Sequence, residues 1–298
     1  MGISGDKIFV QIPSYKDTQL VATVMNLLAT ASNSKRLKIC ICFQHDNSEE
    51  LPNVITSNKN ISVIDVDYRE SKGVNWARSI IQKEWKGERY SLLIDSHMRF
   101  VKNWDEKLIG MVKGLKKNGI SKPIISCLPP PFYNPETFPA NRLDYPLKTY
   151  PKEYAFNLLT RFHGHPLPLY KWLSQPIPAE FLALGFLFTE GTFNTEIPFD
   201  PNIYFFGDDI TTGLRAYCHG YDFFHPHRVI AWHLYDRKTR TPHWDDHYDW
   251  FEKDIKSYER IYRILKGESF GIYSIGKKRS LKAFEKYVGY KLIANEQN

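Results

Sequence analysis

The sequence predicts an α/β fold: a mostly parallel sheet flanked by helices, with an aromatic- and proline-rich insertion and C-terminal helices. Three observations predict it. Short apolar runs alternate with segments of helical spacing as far as Leu115. Chemically able residues fall at the C-terminal ends of those runs, where sheets of this class bind ligands. The last part of the chain is amphipathic helix without internal repeats.

Lys7–Ile12 reads as the first strand and ends in Pro13-Ser14-Tyr15. Gln19–Thr30 has Leu20, Val24, Leu27 and Leu28 on one helical face. Leu37–Phe43 is a second apolar strand, followed by Gln44-His45-Asp46, and Ile61–Val66 is a third. Val74–Trp85 reads as a helix with Trp76, Ile80, Ile81 and Trp85 on its apolar side. Ser91–Ile94 is the fourth strand, and Trp104–Leu115 is helical again. Pro129-Pro130-Pro131 opens an insertion running to Pro178, too long for a plain connection and suited to a lid, an acceptor platform or a dimer surface. Phe181–Phe188 is apolar enough for another central strand. Ile210–Cys218 is a helix that Gly220 terminates. Phe223–His225 and Val229–His233 read as short strands, and Tyr248–Leu265 and Leu281–Tyr290 as helices.

The 298 residues suffice for one large domain or two small ones. Aromatic residues make up 15%, which suits either a ring-rich core or a cleft that stacks on rings and sugars. The net charge of +7 favours anionic partners, but the lysines and arginines are dispersed. No long basic tract marks nucleic-acid binding, so a nucleotide diphosphate fits better than a polynucleotide. No apolar run approaches the length of a membrane span. The Met-Gly start lacks the basic and apolar regions of a secretory signal. Cys40 and Cys42 share one face of one strand, a poor geometry for pairing with each other. With Cys127 and Cys218 they read as reduced, and the protein as cytoplasmic.

Tyr90 to Phe100 is the most informative stretch, because an apolar run breaks abruptly into Asp95-Ser96-His97. In extended backbone, residues i and i+2 point the same way, so Asp95 and His97 can reach one ion. The oxygen-plus-nitrogen pair suits Mn²⁺ or Zn²⁺. A third ligand is needed, and His233 at the end of an apolar run supplies one; His163, His165, His225, His227, His243 and His247 compete with it. Lys72 to Arg78 offers a Gly at a helix start and an Arg one turn later, a pattern that can contact a diphosphate or a ribose. Gly207-Asp208-Asp209 sets two carboxylates at a helix start, as a cap or as acceptor-positioning groups. The chain has no Gly-x-Ser-x-Gly elbow, P-loop or Rossmann glycine fingerprint, which removes the simple hydrolase, kinase and dehydrogenase readings.

In order along the chain, these pieces resemble a GT-A glycosyltransferase. Ile8 to Tyr15 resembles its first nucleotide-binding strand, Lys72 to Arg78 its Gly-x-x-x-Ala-Arg helix start, and Asp95-Ser96-His97 its metal motif. The chain is most similar to cytoplasmic N-acetylglucosaminyltransferases acting on protein hydroxyproline, and to their bacterial relatives, where the metal motif also reads Asp-Ser-His. Asn103-Trp104-Asp105, Phe206 to Asp209 and Gly276 to Ser280 extend the match. Polypeptide GalNAc-transferases are a more distant resemblance. Their Asp-x-His plus later His matches His233, and their Trp-Gly-Gly-Glu is similar to Phe206-Gly207-Asp208-Asp209 with Asp in place of Glu.

The resemblance implies a UDP-sugar donor, GlcNAc as the sugar, and Mn²⁺ or Mg²⁺ held by Asp95, His97 and His233. It implies nucleotide-sugar contacts from Pro13, Ser14, Tyr15, Asp46, Arg78, Asp95 and Ser96, with Lys277 and Arg279 closing on the diphosphate. Asp208 or Asp209 would position a protein or glycan hydroxyl, with retention of anomeric configuration. Residues 1–243 would form the catalytic domain, including the 129–178 insertion, and 244–298 a helical extension packed on it. Two other readings stand beside this one: a nucleotidyltransferase on a similar fold, and a non-catalytic carbohydrate-binding module. Oligomeric state is open.

Overall fold

The computed structural model describes residues 5–294; the Met-Gly start considered above lies outside them. In chain order the strands are β1 Ile8–Tyr15, β2 Leu37–His45, β3 Ile61–Asp67, β4 Tyr90–Ile94, β5 Met98–Phe100, β6 Pro123–Ser126, β7 Leu147–Ala155, β8 Leu158–Pro166, β9 Ile177–Pro178, β10 Phe186–Glu190, β11 Asp222–His225 and β12 Ala231–His233. The helices are α1 Leu20–Thr30, α2 Asn53–Thr56, α3 Val74–Gln82, α4 Trp104–Lys117, α5 Phe193–Glu196, α6 Asp208–Cys218, α7 His243–Asp246, α8 Trp250–Leu265 and α9 Leu281–Val288.

The main sheet has eight strands in the order β3-β2-β1-β4-β10-β6-β11-β9. β10 and β9 run against the others, which are parallel. From β1 the chain builds outward to β2 and β3 on one side, then returns to β4 on the other. Such a reversal opens a crevice at the carboxyl ends of the two strands. The ends in question are Pro13 to Tyr15 and Asp95 to His97.

Alternation along β1 determines what covers the sheet. Ile8, Val10 and Ile12 face a core shared with Leu20, Val24 and Leu27 of α1 and Leu108, Met111 and Val112 of α4. Phe9 faces the other side, with Cys40, Cys42, Ala77 and Ile81. The predicted shared face of Cys40 and Cys42 is therefore observed, and all four cysteines are buried and unpaired. A second core covers the β10–β11 half. It joins Leu187 and Phe223 to Leu214 of α6, Tyr258 and Ile261 of α8, and Phe284 and Val288 of α9. The residues after 243 thus pack into the same body as the sheet. Among the described residues no helix is long and apolar enough to cross a membrane.

Several boundaries differ from expectation. β1 runs on to Tyr15, with Pro13 opposite Cys42. Lys16 N–H donates to Gln44 O, so by alternation Pro13 faces the β4 side. Pairing with β4 stops at Gln11, so the missing N–H of Pro13 leaves no ladder bond unmade. The apolar run from Phe181 is not one strand: β10 begins at Phe186, and Phe181, Leu182 and Leu184 fill the second core from an irregular segment. The 129–178 insertion contains a hairpin, β7 with β8, joined at Phe156 and Asn157, which both adopt positive φ. Paired positive φ is what a two-residue loop needs to match the twist of its strands.

Candidate active site

A cleft of about 480 Å³ opens at the crevice between β1 and β4. Asp95 sits immediately after β4, and its N–H donates to Gly185 O at 3.2 Å. Gly185 has to be small, since a Cβ there would stand 2.7 Å from Asp95 Oδ2. His97 precedes β5, whose antiparallel partner is β12 with Met98 opposite His233. Leu234 N–H donates to His97 O at 3.1 Å, which ties the two segments together. The pairing brings together residues that are 136 positions apart: His97 Nε2 and His233 Nε2 stand 3.0 Å apart. His233 Nε2 is also 3.1 Å from Asp95 Oδ2.

These three groups each offer one ligand atom, and the three atoms all lie within 4.8 Å of one another. The donor set is one carboxylate oxygen and two imidazole nitrogens, and it fits a divalent first-row cation. Both histidines are nearly closed to solvent. Burial and the neighbouring His97 depress His233 to about 4, so it is neutral and able to ligate at physiological pH. Burial works to raise Asp95, but His233 and then His97 outweigh it and hold the carboxyl below its usual range.

Across the cleft, α6 begins with Asp208 and Asp209. Gly207 takes φ +84° to start the helix, and a Cβ there would strike Ile261 Cδ1 at 2.5 Å. The two carboxylates are used differently. Asp208 Oδ2 accepts from Arg78 Nη1 at 2.5 Å, and its Oδ1 accepts from Asp209 N–H. Asp209 Oδ1 accepts from Leu184 N–H at 2.7 Å, which leaves Oδ2 uncommitted in a residue that lines the cleft. Burial raises both carboxyls, and Asp208 beside it pushes Asp209 up to about 8.

The model of the glycosyltransferase (GlcNAc) family matches residues 7–59 and 51–293. The chain belongs to that family. Among curated proteins none matches. Solved structures share the fold of this glycosyltransferase at low identity. GalNAc-T7 with UDP, GalNAc and Mn²⁺ superposes with a TM-score of 0.57 at 15% identity, covering 96% of this chain and 55% of that one. S. aureus TarS 1-349 in complex with UDP-GlcNAc gives 0.57 at 12% identity, covering 95% of this chain and 70% of that one. Full TarS gives 0.55 at 12% identity, covering 95% and 42%. The chain therefore spans about half the length of GalNAc-T7. At such identities the likeness shows the fold alone, which is GT-A.

In this glycosyltransferase, Pro13, Tyr15, Arg78, Asp95, Ser96, His97, Asp208, Asp209 and His233 all line one cleft. Four anticipated residues lie elsewhere. Ser14 is buried on the opposite face of β1, as period-two alternation requires. Asp46 caps Ser48 N–H in an exposed turn, because β2 runs two residues beyond Phe43 and Gln44 takes the cleft position. Arg279 pairs with Asp222 at 2.8 Å and donates to Tyr221 O, and neither it nor Lys277 lines the cleft. The rival histidines also find other settings. His225, held at about 4 by burial, bridges Thr149 N–H and Ser126 O and clamps the hairpin to the sheet. His163 and His165 pack beside Tyr150 on the hairpin.

Cleft residues that the sequence did not single out include Gln44, Tyr204, Arg237, Arg240 and Trp244. The cleft is also lined by Gly73, expected at the helix start, and His243, one of the rival metal ligands. Gly73, at φ +105°, lies so close to Tyr204 that a Cβ would be 2.7 Å from its ring. Tyr204 Oη and His243 Nδ1 are 2.7 Å apart. His243 and His247 stack in parallel at 3.9 Å, with Tyr15 tilted against His243 at 4.8 Å.

The raised Asp209 has a measurable consequence. Its folded pKa of about 8 lies above the ordinary 3.8, so the native state holds a proton that the unfolded chain has released. Stability then declines as pH rises from 3.8 through about 8. Asp209→Asn keeps an oxygen for Leu184 N–H and removes the titration. Urea melts of metal-free protein across that window are expected to show a flatter pH dependence in the variant; a slope equal to wild type refutes the assignment.

Proposed function

We propose that this chain transfers a sugar from a UDP-sugar to a hydroxyl of a protein or glycan acceptor, with N-acetylglucosamine as the sugar. The observation that carries the reading is the meeting of Asp95, His97 and His233 opposite Asp208 and Asp209, in one cleft of a GlcNAc-family chain. Asp95, His97 and His233 hold a divalent cation of the manganese or magnesium type. Bound there, that cation supplies Lewis-acid neutralisation of charge on a leaving diphosphate.

The side chains divide the remaining work. Pro13 and Tyr15 form a wall for the uracil, with Gln44 at its edge. Arg237 and Arg240 face the diphosphate, in place of Lys277 and Arg279. Arg78 fixes Asp208, and the uncommitted Oδ2 of Asp209 orients the acceptor hydroxyl. The acceptor oxygen forms its bond to the anomeric carbon as the bond to the UDP oxygen breaks, and the hydroxyl proton passes to that leaving oxygen on the same face. Configuration is thereby retained. The hairpin residues Lys152, Arg161 and Phe162, which reach the cleft from the 129–178 insertion, meet the acceptor. A hydroxyproline-bearing protein, the acceptor of the family resembled, is the first to test.

The direct experiment is UDP release from a panel of UDP-sugars, with Mn²⁺ and with EDTA. Slow hydrolysis of UDP-GlcNAc that EDTA abolishes is the expected result. Turnover of another UDP-sugar in its place corrects the sugar. No release from any donor, together with no UDP–Mn²⁺ binding, ends the transferase reading in favour of a carbohydrate-binding module.

A further inference from the structure

We infer that Asp17 is the positioning residue of the proposed metal centre, fixing His97 in the tautomer whose Nε2 lone pair faces Asp95 and His233. The inference rests on the reading of those residues as metal ligands and adds to them a residue that touches no ion. Asp17 lies in the loop between β1 and α1, and its side chain is 0% exposed. Three donors converge on its carboxylate. Oδ2 accepts from His97 Nδ1 at 2.7 Å and from Ser96 Oγ at 2.5 Å. Oδ1 accepts from Gln19 N–H at 2.9 Å.

The direction of the His97 contact follows from chemistry. A carboxylate only accepts, so the 2.7 Å contact requires the hydrogen on Nδ1. A neutral imidazole then carries its lone pair on Nε2. Nε2 is the atom that faces His233 at 3.0 Å. Ser96, between the two outer motif residues, turns its hydroxyl inward onto the same oxygen and braces it. Such outer partners are worth about 10–100-fold in metal affinity where they have been removed from other sites.

The loop that carries Asp17 is itself held from the far side. Thr18 N–H donates to Thr239 O at 3.1 Å, and Thr241 N–H donates to Lys16 O at 3.4 Å. The Thr239–Thr241 segment leads directly into cleft residues His243 and Trp244. Backbone pairing outside and three donors inside leave the carboxylate one position to occupy. Its aim at His97 is therefore built into the fold rather than adopted when a ligand arrives.

The test has two readouts. The first is the His97 tautomer in metal-free wild-type protein, from nitrogen-15 chemical shifts assigned by comparison with His97→Gln. The second is Mn²⁺ affinity by calorimetry for wild type, Asp17→Asn and Asp95→Ala. The expected results are a proton on Nδ1 in wild type, a mixed or reversed tautomer in Asp17→Asn, and Mn²⁺ binding about 10–100-fold weaker in that variant. A proton on Nε2 in wild type overturns the inference, and so does Mn²⁺ binding by Asp17→Asn as tight as wild type. The wild-type tautomer decides even if Asp17→Asn fails to fold. Loss of Mn²⁺ binding in every protein, wild type included, sinks the ligand reading separately and leaves the tautomer to decide the role of Asp17.

Discussion

Asp95→Ala is expected to remove turnover while the protein stays folded. Asp95 supplies the only carboxylate of the three-residue cluster, the one partner that brings negative charge to a cation. Its loss leaves two imidazoles and no carboxylate, a weak site for a hard or borderline ion. A fall of at least about 10²–10³-fold in rate is the scale expected when one preorganised electrostatic group is deleted. The fold tolerates the change because Asp95 lies beyond β4, outside the sheet ladder, and its backbone bond to Gly185 O survives. Thermal melting separates the two effects. Mn²⁺ at a hundred times its dissociation constant stabilises wild type by about 2.7 kcal/mol, and is expected to leave Asp95→Ala unmoved. Normal turnover in the variant would sink the metal assignment, whereas a collapsed melting transition would reassign Asp95 to stability.

The same site shows what sequence pattern carries and what it does not. Asp95 was legible because it ends an apolar run at the carboxyl edge of the parallel sheet, and His97 because it follows two residues on. His233 also ends an apolar run, but the antiparallel pairing of β12 with β5 that brings it to them left no local signal. The sheet itself was legible because β1, β2 and β4 are buried on both faces and read as continuous hydrophobic stretches. The hairpin was not. β8 is buried only at its start, and β7 alternates in burial but sets Thr149, Pro151 and Glu153 on its more covered face and Tyr150 and Tyr154 on the other, so neither carries a strand signature in sequence. Asp46 illustrates the sensitivity of strand ends: two extra residues in β2 carried it past the cleft and put Gln44 there. Arg279 sits in a basic run that resembled a diphosphate clamp, yet its partner, Asp222, is fixed only by tertiary packing. Asp17 is the extreme case. Its contact with His97 spans 80 positions, and nothing local distinguishes it from any loop aspartate.

The largest stability effect is expected from Arg78→Met. Arg78 and Asp208 form an ion pair whose side chains are 6% and 13% exposed. Arg78 Nη1 also contacts Asn75 Oδ1 at 3.2 Å, so the guanidinium is braced by its own helix. Removing one partner of a buried pair strands the other charge, at a cost of about 3–5 kcal/mol. The pH dependence identifies the cause. Burial already raises Asp208, and Arg78 opposes that rise; without it the folded pKa climbs further above the unfolded 3.8. The variant's native state then keeps its proton to higher pH than the wild type's, so the deficit opens only above the wild-type folded pKa of Asp208, itself above 3.8, grows with pH from there and fades below it. Arg78→Met with Asp208→Asn removes the stranded charge and is expected to recover most of the loss in urea melts at pH 8. Equal deficits at pH 4 and pH 8, or a double variant no better than the single one, would assign the cost to lost packing instead. The recovered double variant is also expected to stay slow in UDP release, since Asp209 is then aligned by Leu184 N–H alone, without the neighbouring carboxylate that Arg78 holds in place.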